Sequence, residues 1–486
     1  MCGLKEEIRA GNNMRTTFWT DMPKLHQPIT IHVKSPRSNL QLSRFDTLKT
    51  DVENPEVSDP DVSLVNSFNP ATDSFHASIR PIILLANCFS MLPVSGVNSP
   101  DASYLKFTWR SPKLLYTIAS FLGSTVMTVF NILQFANTGF NSIKTTSLVF
   151  YGTSLIASLL FMKLAKLWPC LALTWEKLER EFMFRHRKVS RLSLAGRFKL
   201  ITAIVMILAL IEHTLSILKG FSYATTCAKY RGDSDIVAEY FESQFPQVFS
   251  RKTYSLWKAI LVDTVNILST FSWNFVDLFL ILVSMALADQ FQQLNSRLNS
   301  VKGKTMPDWW WAEARNDYNH LAGLTRRVDS HISAIVFLSF ATDLYFICIQ
   351  LLFSFNLQRS HIQKIYFCFS FGFLLTRTTA VSLYAASVND ESRLPAPILY
   401  SVSSASYSTE VMRFLTQVTT DNISLTGMKF FSVTRGLVLT IAGTIVTYEL
   451  VLVQINNIQQ TVQSNITNIC EVEDEQLYNN GSSVLL

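Results

Sequence analysis

A row of polar side chains runs through an apolar stretch near the middle of this chain: Asp263, Asn266, Thr270, Trp273 and Asp277. Spacings of 3, 4, 3 and 4 place all five on one face of a helix. Hydrocarbon does not tolerate such a stripe, because a carboxylate at mid-bilayer costs about 2.5–3.5 kcal/mol on insertion scales. The face must therefore turn toward the interior of a bundle. Other apolar stretches add Glu212 with His213, then Asp343, Tyr345 and Gln350, then Arg377. Carboxylates, amides and an aromatic face are what a neutral sugar asks of a site. Its hydroxyls bond carboxylates and amides, and its C–H faces lie on an indole or phenol ring. A hydrogen bond to a charged partner contributes about 1.5–3 kcal/mol, against about 1 for a neutral pair. The sugar gives up comparable bonds to water, so weak binding is expected, as suits a sensor of concentrated nutrients.

Structural roles compete for the same residues. Asp343 and Arg377 either pair and lock two spans together or face a ligand. Asp277 lies deep and suits a structural or gating contact. Trp273 serves equally as core packing, and His213 as a satisfied interior histidine. The expected ligand-facing set is Glu212, His213, Asp263, Asn266, Trp273, Asp343, Tyr345 and Gln350. Catalysis finds no support: there is no nucleophile elbow, no His-Glu-x-x-His and no phosphate loop. No enzyme activity, metal or cofactor is expected.

The elements that carry these groups are read from composition. The chain has 486 residues, 48% hydrophobic and 16% charged, with a mean hydropathy of +0.22. That is too apolar for a soluble protein of this size and too polar to be membrane throughout. Runs of about 20 apolar residues, the length that crosses a bilayer, occur near 114–135, 147–167, 198–219, 256–288, 332–355, 365–386 and 436–455. The fold class is thus all-α, a polytopic membrane protein of seven transmembrane helices. None of the seven runs contains proline, which weighs against the broken helices of many transporters.

Lys and Arg crowd the second, fourth and sixth loops, for example Lys177, Arg180, Arg187, Arg297, Arg326 and Arg393. The positive-inside rule then places the N-terminus and the even loops in the cytoplasm and the C-terminus outside. That orientation inverts the one used by G-protein-coupled receptors. The net charge of +6 suits cytoplasmic loops against anionic membrane lipid, and no nucleic-acid partner is needed. Residues 1–79 are polar and read as a disordered cytoplasmic segment. Residues 80–455 form the channel-sized membrane domain, and 456–486 an acidic extracellular tail. A short helix is expected over 80–94, and a mixed polar helix over 411–429. With extensions of the spans, these suggest a cytoplasmic helical anchor where subunits pack. Cys227 and Cys470 would both lie outside, either paired or as free thiols.

The last span ends in Thr447-Tyr448, five residues, then Gln454-Ile455. This resembles the Thr-Tyr-x5-Gln-Phe signature of the insect gustatory receptors. The Tyr448-Glu449-Leu450-Val451-Leu452 version, with the phrase from Ser269 to Phe279, is similar to the sugar-receptor subfamily. The resemblance covers roughly residues 80–460. It implies a sugar-gated, non-selective cation channel at the plasma membrane, passing Na, K and Ca ions. Its ligand would be a mono- or disaccharide, and its assembly a homo- or heterotetramer with related receptors. In such receptors the last span of each subunit surrounds the pore. Carried over, Thr447, Tyr448 and Gln454 match motif positions, and Gln454 with Ile455 would form the gate. Ile455 stands where the family usually has Phe, and it still supplies a hydrophobic constriction. A transporter of small polar solutes is the alternative reading of the same polar stripe.

Overall fold

The computed structural model describes residues 74–138, 142–183, 193–231, 235–249, 254–354 and 361–459. The segment expected to be disordered lies outside them as far as residue 73, and so does the acidic tail from residue 460 on, Cys470 included; residues 456–459, expected in that tail, continue the last helix.

The described residues are mostly helical, with one small hairpin and an isolated bridge between Ser95 and Lys106. In order come α1 (Phe75–Cys88), α2 (Pro112–Thr138), α3 (Ser142–Met183), α4 (Leu194–Arg231), α5 (Ile236–Gln244) and α6 (Leu256–Ser300). Then follow α7 (Asp308–Ser354), α8 (His361–Arg393), α9 (Pro395–Tyr400) and α10 (Thr409–Thr420). Strands β1 (Thr426–Gly427) and β2 (Phe431–Ser432) precede α11 (Arg435–Gln459). Six helices, α2, α3, α4, α6, α7 and α8, are long and apolar enough to cross a membrane, and the apolar described part of α11 is shorter. Helices α3, α6 and α7 have 42, 45 and 47 residues. At 1.5 Å per residue they run about 60–70 Å, twice the roughly 30 Å of hydrocarbon, so they project well beyond it. Pro169 sits in the projecting part of α3.

Helix α6 forms the axis of the bundle. Every residue from Asn274 to Ala288 is buried, as expected of a helix that is apolar all round. By contrast α2 and α4 expose Leu122, Val126, Leu133, Leu200, Ile207 and Leu210. An apolar face this extended belongs against lipid rather than water.

At one end of the bundle the long helices project, in the region expected to form the anchor. Here α1 lies on α3: the Ser74 hydroxyl caps it through the Ala77 N–H at 3.1 Å, and Phe75 stacks on Trp175 with ring centroids 4.0 Å apart. Both Glu179 oxygens accept the Phe75 N–H, at 3.2 and 3.0 Å. The helix expected over 80–94 thus starts earlier, at Phe75, because its cap and first-turn partners lie upstream of the apolar run. Helix α10 joins α7 through Arg315–Glu410 at 2.9 Å and a Gln417–Asn319 hydrogen bond. Two arginines hold the half-buried Glu410 carboxyl below its usual range, chiefly Arg315 and then Arg413.

The mixed polar helix expected over 411–429 stops at Thr420. Beyond it Ile423, Leu425 and Val433 are buried, and Asn389 donates to the Ile423 carbonyl at 2.9 Å. The chain then turns back, with Met428 and Lys429 at φ of +50° and +64°. At Gly427 a Cβ would meet the Phe431 ring at 2.3 Å, so a larger residue there would have to displace that ring. These tertiary partners override the helical periodicity.

Candidate functional site

At the end opposite the anchor, the helices part around a cavity of about 610 Å³, a volume within the range of small-molecule sites. Its walls come from the start of α3, the last half of α4, α5, the first half of α6, the end of α7 and the start of α8. Of the residues expected to meet a ligand, Glu212, His213, Asn266, Trp273 and Gln350 line it. Asp263, Asp343 and Tyr345 are not among the lining residues. The stripe on α6 is therefore divided. Asn266, Thr270 and Trp273 face the cavity, whereas Asp277 is fully buried deeper in the bundle.

Several polar groups at the cavity are pre-arranged by one another. The Ser370 hydroxyl donates to Glu212 Oε1 at 2.6 Å, and Gln350 Nε2 donates to Ser370 Oγ at 3.3 Å. Tyr151 donates to Asn266 Oδ1 at 3.2 Å. Other groups are buried with no hydrogen-bond partner among the described residues: His213 Nε2, Trp273 Nε1 and Gln350 Oε1. A buried polar group left unmatched costs about 1–3 kcal/mol, so these atoms are poised to bond a polar guest. Aromatic walls complete the site. Trp273 meets Phe346 with centroids 4.7 Å apart and Phe150 edge-on at 6.2 Å. Lys219 Nζ lies 4.6 Å above the Tyr366 ring. Burial and then the Asp263 charge push the Tyr240 phenol up to about 12, so on α5 it remains a neutral hydroxyl at any physiological pH.

Sequence reasoning did not reach Tyr151, Ser216, Lys219, Tyr240, Gln363, Tyr366 and Ser370, all of which line the cavity. On α8 a signal was available. Gln363, Tyr366 and Ser370 recur at spacings of 3 and 4, and Arg377 continues the row seven residues on. Tyr240 carried none, because α5 is a short connecting helix outside the apolar spans.

The remaining charges form a sealed cluster below the cavity. Arg377 Nε lies 2.6 Å from Asp277 Oδ2, and its Nη2 donates to Asp343 Oδ1 at 3.3 Å. Nη1 donates to Asn274 Oδ1 at 2.5 Å. Ser339 donates to Asp277 at 2.5 Å and Thr378 to Asp343 at 2.8 Å. The close Nε–Oδ2 approach is not aligned as a hydrogen bond, so Asp277 and Arg377 interact there chiefly as charges. Tyr345 lies beside Phe346, centroids 5.3 Å apart.

Helix α11 touches this region from one side. Ile445 and Tyr448 pack with Trp273 around Phe346, Ile347, Leu351 and Leu374. Thr440, Thr444 and Thr447 donate to their own helix, to the carbonyls of Gly436, Thr440 and Gly443, at 3.0, 2.9 and 2.9 Å. The side chains of Gln454 and Ile455 lie outside the described residues. Cys227 is disulfide-bonded. Among the described residues Cys88, Cys348 and Cys368 are free thiols.

The fold is that of the insect olfactory receptors. The olfactory receptor OR5 of Machilis hrabei, solved in complex with eugenol, superposes with a TM-score of 0.56 at 13% identity. That alignment covers 78% of this chain and 97% of the receptor. The same receptor without eugenol gives 0.54 at 14% identity, over 78% and 99%. Sequence is more specific. A family model described as trehalose receptor matches residues 49–470. The chain is 39% identical to the gustatory receptor for sugar taste 64f of Drosophila melanogaster, over 78% of this chain and 81% of that one. It is 37% identical to gustatory receptor 5a for trehalose of the same organism, over 80% and 86%. The chain belongs to the trehalose receptor family of insect sugar gustatory receptors. It is a multi-pass membrane protein, and its relatives are receptors rather than enzymes.

Proposed function

We propose that this chain is a subunit of a sugar-gated, non-selective cation channel and acts as a taste receptor at the plasma membrane. The observation that carries the reading is the cavity. It gathers Glu212, His213, Asn266, Gln350 and Trp273 from three separate helices, and its aromatic wall packs on α11. A mono- or disaccharide bonds the carboxylate and amides there and lays a C–H face on Trp273. α11 serves as the seventh span, with the N-terminus cytoplasmic and the C-terminus outside, as the loop charges indicate. Subunits assemble as homo- or heterotetramers with the α11 helices around the pore, Thr447, Tyr448 and Gln454 along it and Ile455 at the gate. The outward face of α11 exposes Leu439 and Val446, which supports a neighbour or lipid against it. Sugar binding opens the pore only if it holds the open state more tightly than the closed one.

The deciding experiment is patch-clamp recording from cells that express this chain alone, with mono- and disaccharides applied outside. The expected result is a cation current that needs no added nucleotide and is lost in Gln454 variants. Surface protein that takes up sugar without channel current would replace the channel reading with a transporter.

A further inference from the structure

The cavity and the buried charge cluster meet at one ring. Trp273 lines the cavity, while the Arg377 guanidinium lies 4.2 Å from the centroid of the same indole. Arg377, Asp277, Asp343 and Asn274 are not among the lining residues, so no ligand in the cavity is in position to bond them directly. A cation so close to the face of a tryptophan is held by the ring quadrupole, most strongly where water is excluded.

The guanidinium also sits between two carboxylates on different helices, Asp277 of α6 and Asp343 of α7, and unequally, at 2.6 and 3.3 Å. Two carboxylates compete for one cation in a dry interior, where the strength of each contact changes steeply with distance. Small movements of the cation therefore shift the balance between helices. Helix α7 carries the other end of the connection. Asp329 accepts the Thr426 N–H at 2.6 Å, and the Ser333 carbonyl accepts the Met428 N–H at 3.2 Å. Both grip the hairpin that leads into α11.

We propose that Arg377 is a positioning residue that couples occupancy of the cavity to the last helix. This rests on the reading of the cavity as the sugar site. A sugar stacked on Trp273 fixes the ring, the ring carries the guanidinium from Asp277 toward Asp343, and α7 moves with it. The motion reaches α11 at two places, through the hairpin held by Asp329 and Ser333, and through Ile445 and Tyr448. Sugar contacts set affinity, and Arg377 sets how much of that binding becomes opening.

The test uses the full chain and trehalose, with two readouts. Binding is followed by saturation-transfer NMR on nanodisc-reconstituted protein, and maximal current is normalised to surface protein. Arg377→Lys keeps the charge but loses the planar fork that donates to Asn274 and Asp343 while facing Asp277. The expected result is trehalose binding within about threefold of wild type and a maximal current lower by about tenfold, inside the usual range of coupling between sites. Unchanged current, or binding that falls in step with current, would overturn the coupling role. Should Arg377→Lys not reach the surface, Asn274→Ser removes one acceptor from the guanidinium, and the same split of smaller size is expected; its absence overturns the role equally. Wild-type protein that binds no trehalose removes the sugar-site reading and the coupling with it, whereas wild type that binds and conducts isolates the coupling claim.

Discussion

The cavity and the charge cluster beneath it share helices α6, α7 and α8 and the same kinds of residue, yet they are opposite environments. Each has a carboxylate, an amide and a serine: Glu212 of α4, Gln350 and Ser370 in the cavity, and Asp277, Asn274 and Ser339 in the cluster. In the cluster the charges face one another, and Arg377 is matched to two carboxylates and an amide. In the cavity His213, Trp273 and Gln350 keep polar atoms without partners among the described residues. An ionisable residue inside a membrane protein is a good pointer to function, but its type does not say which of these two roles it has. Satisfaction decides: a matched buried charge holds helices, and an unmatched polar wall waits for a guest.

The largest effect should come from breaking the cluster. Arg377→Ala leaves two buried carboxylates unmatched, which costs about 3–5 kcal/mol, and surface labelling should show the protein nearly gone. Replacing Arg377 with Met while changing Asp277 and Asp343 to Asn should restore part of the surface protein, since an uncharged cluster no longer strands a charge. No rescue would mean that the charges do more than balance one another.

Breaking the cavity should act on sensitivity instead. Glu212→Gln removes a charged acceptor, and a loss of about 1.5–3 kcal/mol raises the half-activating sugar concentration by roughly 10- to 150-fold. Surface protein should be unchanged, and an unaltered dose response would remove Glu212 from the site. Ser370→Ala is milder. It loses the bond that orients Glu212, about 1 kcal/mol or a fivefold shift in the same dose response.

Smaller still is the effect expected on α11. Thr444 bonds the Thr440 carbonyl, so Thr444→Val should leave single-channel conductance within about twofold, the hydroxyl being already satisfied by its own helix. The smallest effect is at the anchor. The folded state holds the Glu410 carboxyl below its ordinary value, chiefly through Arg315 and then Arg413. The stabilisation is present above that value and is lost as pH falls through the lower folded one. Thermal unfolding in detergent should show a slight extra loss on acidification that Glu410→Gln abolishes. An identical acid response in that variant would show the contact to be silent.

Much of the fold was legible in the sequence. Apolar run length gave the membrane-capable helices, because hydrocarbon sets a minimum span. The spacing of Asn266, Thr270 and Trp273 gave a face that turns inward. The short hairpin after α10 was not legible, since it depends on Asn389, Asp329 and the Phe431 ring, which come from other parts of the chain. Ser370 and Tyr151 were missed for a related reason: hydroxyls in apolar helices commonly bond their own backbone, and only their neighbours reveal another use.

The sequence by itself determined the class of protein, its helices, the inward face of α6 and, through the Thr447–Gln454 pattern, its family. Only the tertiary structure decided which polar groups share the cavity and which seal the cluster. Periodicity fixes a residue's angle around its own helix but not its depth beside a neighbour. Asp263 and Asp277 lie on one face, yet 14 residues separate them, about 21 Å along the axis. Over that distance one stripe begins at Asp263, which does not line the cavity, passes Asn266, Thr270 and Trp273, which do, and ends at Asp277 in the sealed interior. The axial register of α6 against α7 and α8 is set by side-chain packing between helices distant in sequence.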